Sequence, residues 1–251
     1  MAARLEKVCG FHAVNALLKR APDRIQALYI DRSRRDGRVD ELQQLAKMSG
    51  ITVSQVDSRK LDKQADGVRH QGVLALARAE KQRDESALYE LLDTLPGPPL
   101  LLVLDQVQDP HNLGACLRTA DGAGVDAVIL PRDGAAPVNE TVRRVAAGAA
   151  DRVAVFHVTN LSRCLKQLSE RGIWITGSAD ESAQNVYELD LTGSCAIVMG
   201  AEEKGLRRLT REHCDQIAAI PMAGSVSSLN VSVATGVMLF EAVRQRRETV
   251  A

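Results

Sequence analysis

The 251-residue chain has no C-x-x-C pair, no net charge and no uninterrupted apolar segment of membrane length. Each absence excludes a class of protein. Five cysteines, Cys9, Cys116, Cys164, Cys195 and Cys214, are scattered and odd in number, which fits reduced thiols better than a disulfide framework. His213 and Cys214 adjoin, but no second pair stands at ligand spacing, so no metal site is expected. The opening residues, Met-Ala-Ala-Arg-Leu-Glu-Lys, contain no apolar core of signal-peptide length; nothing argues for export, and a cytoplasmic location is expected. Residues 216–240 carry no charge, yet Pro221, four serines, Asn230 and Thr235 make them too polar to cross a bilayer unaided. Buried core plus a binding site is the expectation there.

The zero net charge conceals an asymmetry. Residues 1–80 hold 15 Lys/Arg against 10 Asp/Glu, whereas residues 98–251 hold 15 against 18. Arg32, Arg34, Arg35 and Arg38 fall within seven positions of the basic part. That run is either a solvated loop, interrupted as it is by Asp31 and Asp36, or an electrostatic contact to nucleic-acid phosphate. Such asymmetry suggests that one part of the chain attracts a polyanion while another performs chemistry.

Periodicity divides the chain similarly. Residues 1–78 read as a small α/β unit, with helices at 11–19 and 39–48 and strands at 26–30, 51–56 and 72–77. Residues 79–95 turn polar and helix-favouring and Pro96-Gly97-Pro98-Pro99 follows, so 79–97 read as a linker, or as a helix packed on the second domain through Leu88, Leu91 and Leu92. From 98 to 251, apolar runs at 100–104, 127–130, 153–158, 173–176, 196–199 and 216–220 alternate with helical patterns at 113–123, 138–149 and 161–171, before a terminal helix at 232–245. Continuous apolar strands separated by helices predict a mainly parallel α/β sheet.

The first of these strands leads into Asp105-Gln106-Val107-Gln108-Asp109-Pro110, without the G-x-G turn of a dinucleotide fold. A dehydrogenase is thereby disfavoured. Informative glycines come later, in three motifs: Asn112-Leu113-Gly114-x3-Arg118, Gly200-Ala201-Glu202-x2-Gly205, and Ile220-Pro221-Met222-x-Gly224-x3-Ser228-Leu229-Asn230-Val231-Ser232. Each follows an apolar run that ends in a turn, which places it at the carboxyl end of a strand, where open α/β sheets bind ligands. Asn112 also suits the N-cap of the helix expected from Leu113, and capping alone could explain it.

In this order the motifs resemble the SpoU family of the SPOUT methyltransferase superfamily. Gly10-Phe11-His12-Ala13-Val14, His70-Gln71-Gly72 and the blocks 109–118 and 207–214 are similar to its branch acting on guanosine of 23S rRNA. The resemblance implies an RNA-recognising amino-terminal domain of the ribosomal-protein L30e type, a catalytic domain with a deep trefoil knot, a homodimer formed by that domain, and S-adenosylmethionine as methyl donor to a ribose 2′-hydroxyl. It assigns Gly200, Ile220 and Leu229 to the cofactor, although Ile220 and Leu229 would read as plain core by composition alone. It assigns catalysis to Arg118, Asn112, Glu202, Ser228 and Asn230. Because guanidinium is a very poor base, Arg118 is better suited to orienting phosphate or stabilising developing alkoxide charge. Glu202 is then a second candidate base, or a partner holding Arg118. Within the same chemistry tRNA is the alternative substrate; outside it, a non-catalytic rRNA-binding assembly factor. The intact polar set argues against the latter.

Overall fold

Runs of apolar residues on both sides of a strand need cover on both faces, and the chain supplies it. In a computed structural model, which describes residues 5–78, 82–201 and 204–250, the chain divides into two compact units, residues 1–81 and 82–251.

The first unit is a four-stranded mixed sheet. Strands β1 (Leu5–Cys9), β2 (Ile25–Asp31), β3 (Val53–Val56) and β4 (Val73–Arg78) lie in the order β1-β4-β2-β3, with only the β2–β3 pair parallel. Helix α1 (Phe11–Arg20) buries Phe11, Val14, Leu17 and Leu18, one stripe at helical spacing. α2 (Gly37–Met48) adds Val39, Leu42 and Ala46 to the same core and is N-capped by Asp36. β1 and helix α3 (Ser58–Ala65) were not expected. β1 is an edge strand with exposed Glu6 and Lys7, and α3 commits only Leu61 and Ala65 to the interior, so neither has a strong apolar period.

The second unit begins earlier than the sequence suggested. Residues 85–92, inside the expected linker, form helix α4 (Glu85–Leu92), capped by Asp84 and anchored by fully buried Leu88. The packed-helix reading holds there. Beyond it lie β5 (Leu100–Leu104), β6 (Ala127–Pro131), β7 (Val155–Val158), β8 (Trp174–Ser178), β9 (Cys195–Met199) and β10 (Gln216–Ala218), all paired in parallel in the order β10-β8-β9-β5-β6-β7. Every residue of β5, β6 and β9 is buried. The two-residue period of a strand sends Leu100, Leu102, Leu104, Val128 and Ile197 to one face, beneath helices α5 (Pro110–Ala123) and α10 (Val231–Val250). Leu101, Val103, Ile129, Ala196 and Val198 go to the other, beneath α4 and α8 (Leu161–Glu170); a short helix, α9 (Arg208–Glu212), precedes β10. The helix expected over 138–149 is two shorter ones, α6 (Glu140–Val145) and α7 (Ala149–Arg152), because Ala147 and Gly148 take φ of 50° and 88°. No helix among the described residues is long and apolar enough to cross a membrane.

This strand order locates the site before any side chain is considered. The chain runs outward from β5 through β6 to β7, then crosses to β8 and returns to insert β9 beside β5. The direction of winding reverses between β5 and β9, and such switch points open a crevice at the strands' carboxyl ends.

Candidate active site

At that crevice the β5–β9 ladder is extended by one bond, from Asp105 N–H to the Met199 carbonyl (2.8 Å). The Asp105 carboxylate is fully buried and accepts from Arg207 Nε at 2.7 Å and from the Arg207 backbone N–H at 3.1 Å, while the Arg207 terminal nitrogen lies 2.7 Å away. This fork ties the loop after β9 to the end of β5. Sequence reading missed the pair; its only signal was a charge set directly after an all-apolar strand. Arg207→Ala leaves the buried carboxylate with a backbone donor alone. Because the Arg207 side chain is partly exposed, leaving its buried carboxylate partner under-satisfied is expected to destabilise the fold by about 1–3 kcal/mol, read as a lowered denaturant midpoint.

Gly200 follows β9 and begins a tight loop in which Ala201 and Gly205 exchange two backbone hydrogen bonds (3.1 and 2.9 Å). A Cβ on Gly200 would stand 2.2 Å from the Gly205 carbonyl carbon and 2.4 Å from Leu206 N. The close approach expected at Gly200 is thus made by the loop's own backbone. Glu202, the second candidate base, lies outside the described residues.

Ile220 and Leu229 bracket the loop after β10. Both are half-buried and pack on the same core face as α5 and α10. Between them Ser225, Ser227 and Ser228 are exposed, which corrects the expectation of a buried polar stretch: in the single chain these hydroxyls face solvent. Ser228 makes no hydrogen bond among the described residues.

Asn230 joins the third motif to the first. Its Oδ1 accepts from Ser232 N–H (2.9 Å) and Ser232 Oγ–H (2.6 Å), capping α10, and its Nδ2–H donates to Asn112 Oδ1 (3.0 Å). Asn112 is therefore not the cap of α5. That role falls to Asp109, which accepts from His111 N–H; Pro110 occupies the first helical position and Asn112 the third. The hydrogen bond from His111 holds the Asp109 carboxyl below its ordinary range. Deeper in the interface between α5 and α10, Cys116 Sγ and Thr235 Oγ1 lie 3.5 Å apart.

Arg118 is exposed, six residues beyond Asn112 and so about 120° around the helix from it. Among the described residues its guanidinium has no ion pair or hydrogen bond. The Cys214 thiol, unlike a reactive one, is pushed up to about 12 by burial and stays protonated. The strand ends thus carry a tight glycine loop and a bonded pair of asparagines, with two half-buried aliphatic side chains on the same core face, while Arg118 lies further along α5, exposed and uncommitted. Such a set suits an adenosine-bearing ligand with a polyanion beside it.

Comparison with known proteins agrees. Residues 99–240 match the model of the SpoU rRNA methylase family, and residues 7–83 match that of the RNA 2′-O ribose methyltransferase substrate-binding domain. The chain is 57% identical over 241 residues to the 23S rRNA (guanosine-2′-O-)-methyltransferase RlmB of Pseudomonas aeruginosa, covering 96% of this chain and 97% of that protein. The Escherichia coli protein of the same name is 52% identical, with 96% and 99% covered. Among solved structures, the SpoU methyltransferase AviRb from Streptomyces viridochromogenes, in complex with AdoMet, shares the fold with a TM-score of 0.67 at 23% identity, covering 97% of this chain and 91% of that one. The chain belongs to the SpoU rRNA methylase family.

Proposed function

We propose that this protein transfers the methyl group of S-adenosylmethionine to the ribose 2′-hydroxyl of a guanosine in 23S rRNA. The observation that carries the reading is the Asn230–Asn112 bond, which closes two of the three motifs on each other beside the β5–β9 switch point. The near-full-length relatives named for this reaction support the substrate class. Their match extends through the first unit, which favours rRNA over tRNA.

The residues present fit the cofactor. Ile220 and Leu229 offer half-buried aliphatic walls for the adenine and backbone groups to its edge, and Gly200 allows the tight loop after β9 to close beside them. When bound, S-adenosylmethionine supplies an electrophilic methyl carbon. The chemistry it would supply is in-line transfer: the 2′-oxygen would bond to that carbon as the C–S bond broke with its electron pair left on sulfur, and the hydroxyl proton would leave to solvent. Arg118, free of a carboxylate, holds the adjoining phosphate and stabilises the developing alkoxide. Asn112 and Asn230 fix the approach of α5 to the cofactor loop, and Ser228 offers a hydroxyl to the ribose. Much of the rate comes from positioning. Methylated-nucleotide mapping of 23S rRNA incubated with protein and cofactor tests the reading; an unchanged ribose pattern at every guanosine would refute it.

We place the protein in the cytoplasm with its RNA, and as a homodimer paired through the second unit. Val233 and Phe240, seven apart on α10, are each about half exposed (52% and 50%), and Val226 on the preceding loop is 61% exposed. A helix apolar on more than its core stripe needs cover from a second surface, and a symmetric copy is the commonest one. Sedimentation of the full chain should give a dimer at micromolar concentration; a folded, cofactor-binding monomer would overturn this assignment.

A further inference from the structure

Methyl transfer leaves two sequence motifs of the first unit, residues 10–14 and 70–72, without a task. The fold brings them together. Gly10 N–H donates to the Val73 carbonyl (3.0 Å), setting the start of α1 against the turn that precedes β4. Beside this junction opens a cavity of about 740 Å³, lined by Phe11, Arg34, Arg38, Asp62, Arg69 and His70 among others. That volume exceeds what one nucleotide needs. Three arginines line the cavity against one carboxylate, and Arg34 also pairs with Asp36 outside the lining (3.8 Å).

The lining groups divide into fixed and free. The Arg34 guanidinium lies 5.0 Å over the Phe11 ring and donates to the Gln71 carbonyl (2.7 Å), so it is held flat against an aromatic while its side chain stays 40% exposed. Gly72 is what allows the stack, since a Cβ there would stand 2.7 Å from Arg34 Cδ. His70 is a brace: its Nδ1 accepts from Gly72 N–H (3.0 Å), which puts the proton on Nε2 to donate to Asp62 (2.9 Å). Gln71 between them takes a left-handed φ of 51°, uncommon outside glycine. Arg38 and Arg69, in contrast, have no side-chain hydrogen bond or ion pair among the described residues. A rigid planar cation beside two uncompensated ones is unlike a merely solvated loop. Arg32 and Arg35 of the same basic run do not line the cavity.

We propose that this cavity receives one unpaired nucleotide of the substrate RNA. Its base stacks on the guanidinium of Arg34, which Phe11 backs, and its flanking phosphates meet Arg38 and Arg69. The Asp62 oxygen not engaged by His70 accepts from an amino group on the base edge. The inference rests on the RNA-modifying reading above, and its test separates the two. Filter binding of the full chain to a 23S rRNA transcript is measured across a salt series for wild type, R38Q/R69Q and R34K. The double variant should bind about tenfold or more weakly, with the slope of log affinity against log salt reduced by roughly 1.4, about 0.7 per phosphate on a single strand. R34K keeps its charge but has no plane to stack on; it should lose about tenfold in affinity with little change of slope. Melting curves and S-adenosylmethionine affinity matching wild type verify the fold. Unchanged affinity and slope in R38Q/R69Q, or wild-type affinity in R34K, would overturn the site while wild-type methylation stands. Absence of methylation by wild type itself would instead sink the functional reading.

Discussion

Arg118→Ala is expected to slow methyl transfer by about 10²–10³-fold, leaving affinity for S-adenosylmethionine within a few-fold of wild type. The expectation rests on where the side chain is and on what it does not touch. Arg118 projects from α5 into solvent and is tied to no carboxylate among the described residues, so its charge is uncommitted until RNA arrives. A guanidinium cannot take the hydroxyl proton at neutral pH, but its planar fork matches a phosphate and can sit against a forming oxyanion. An exposed side chain without partners contributes little to stability, within about 0.5 kcal/mol, so lost activity would report on chemistry and not on folding. Arg118→Lys should fall between the two, because it keeps the charge and loses the fork. Single-turnover rates decide the matter: a near-wild-type rate in Arg118→Ala would remove the residue from its assigned role.

The physical reason some of this was legible in sequence, and some not, lies in the range of each interaction. β5, β6 and β9 are covered on both faces, so their residues form unbroken apolar runs that any reading finds. β1 is half exposed at an edge and shares its five positions with Glu6 and Lys7, and α3 needs only Leu61 and Ala65; packing of that kind leaves little period. The break between α6 and α7 was signalled by Gly148, and the true start of α5 by Asp109-Pro110, both local signals that a longer apolar pattern outweighed. The motifs gave no sign of how they close on one another. Asn112 meets Asn230 across 118 residues, and Asp105 meets Arg207 across 102. No periodicity encodes such pairings, because they depend on β9 inserting beside β5. The serines between Ile220 and Leu229 misled for the same reason: a charge-free run looks buried, but after the short strand β10 the chain loops out to solvent.

Gly200→Ala should abolish measurable cofactor binding, a loss of about 100-fold or more, the size expected when a preorganised polar loop is displaced by an ångström or so. The added methyl carbon would fall 2.2 Å from the Gly205 carbonyl carbon, 2.4 Å from its oxygen and 2.4 Å from Leu206 N. These are backbone atoms, so no rotamer change relieves the overlap; the loop must move or β9 must. β9 is held between β5 and β8 with every residue buried, which leaves the loop to yield. Yielding breaks the paired bonds between Ala201 and Gly205 and shifts Leu206, whose Arg207 neighbour is fixed to Asp105. Overpacking of this kind costs about 1–3 kcal/mol, so the variant should still fold. Two companions sort the causes. Gly205 has a φ of 61° but open space around its missing Cβ, so Gly205→Ala pays only for its backbone, about 1 kcal/mol. Gly224, in the loop after β10, has neither a positive φ nor a neighbour within 4 Å, and Gly224→Ala should bind cofactor as wild type does. Calorimetric titration of the three against thermal melts gives the order Gly200, Gly205, Gly224 in severity. Wild-type affinity in Gly200→Ala would detach the β9 loop from the cofactor altogether.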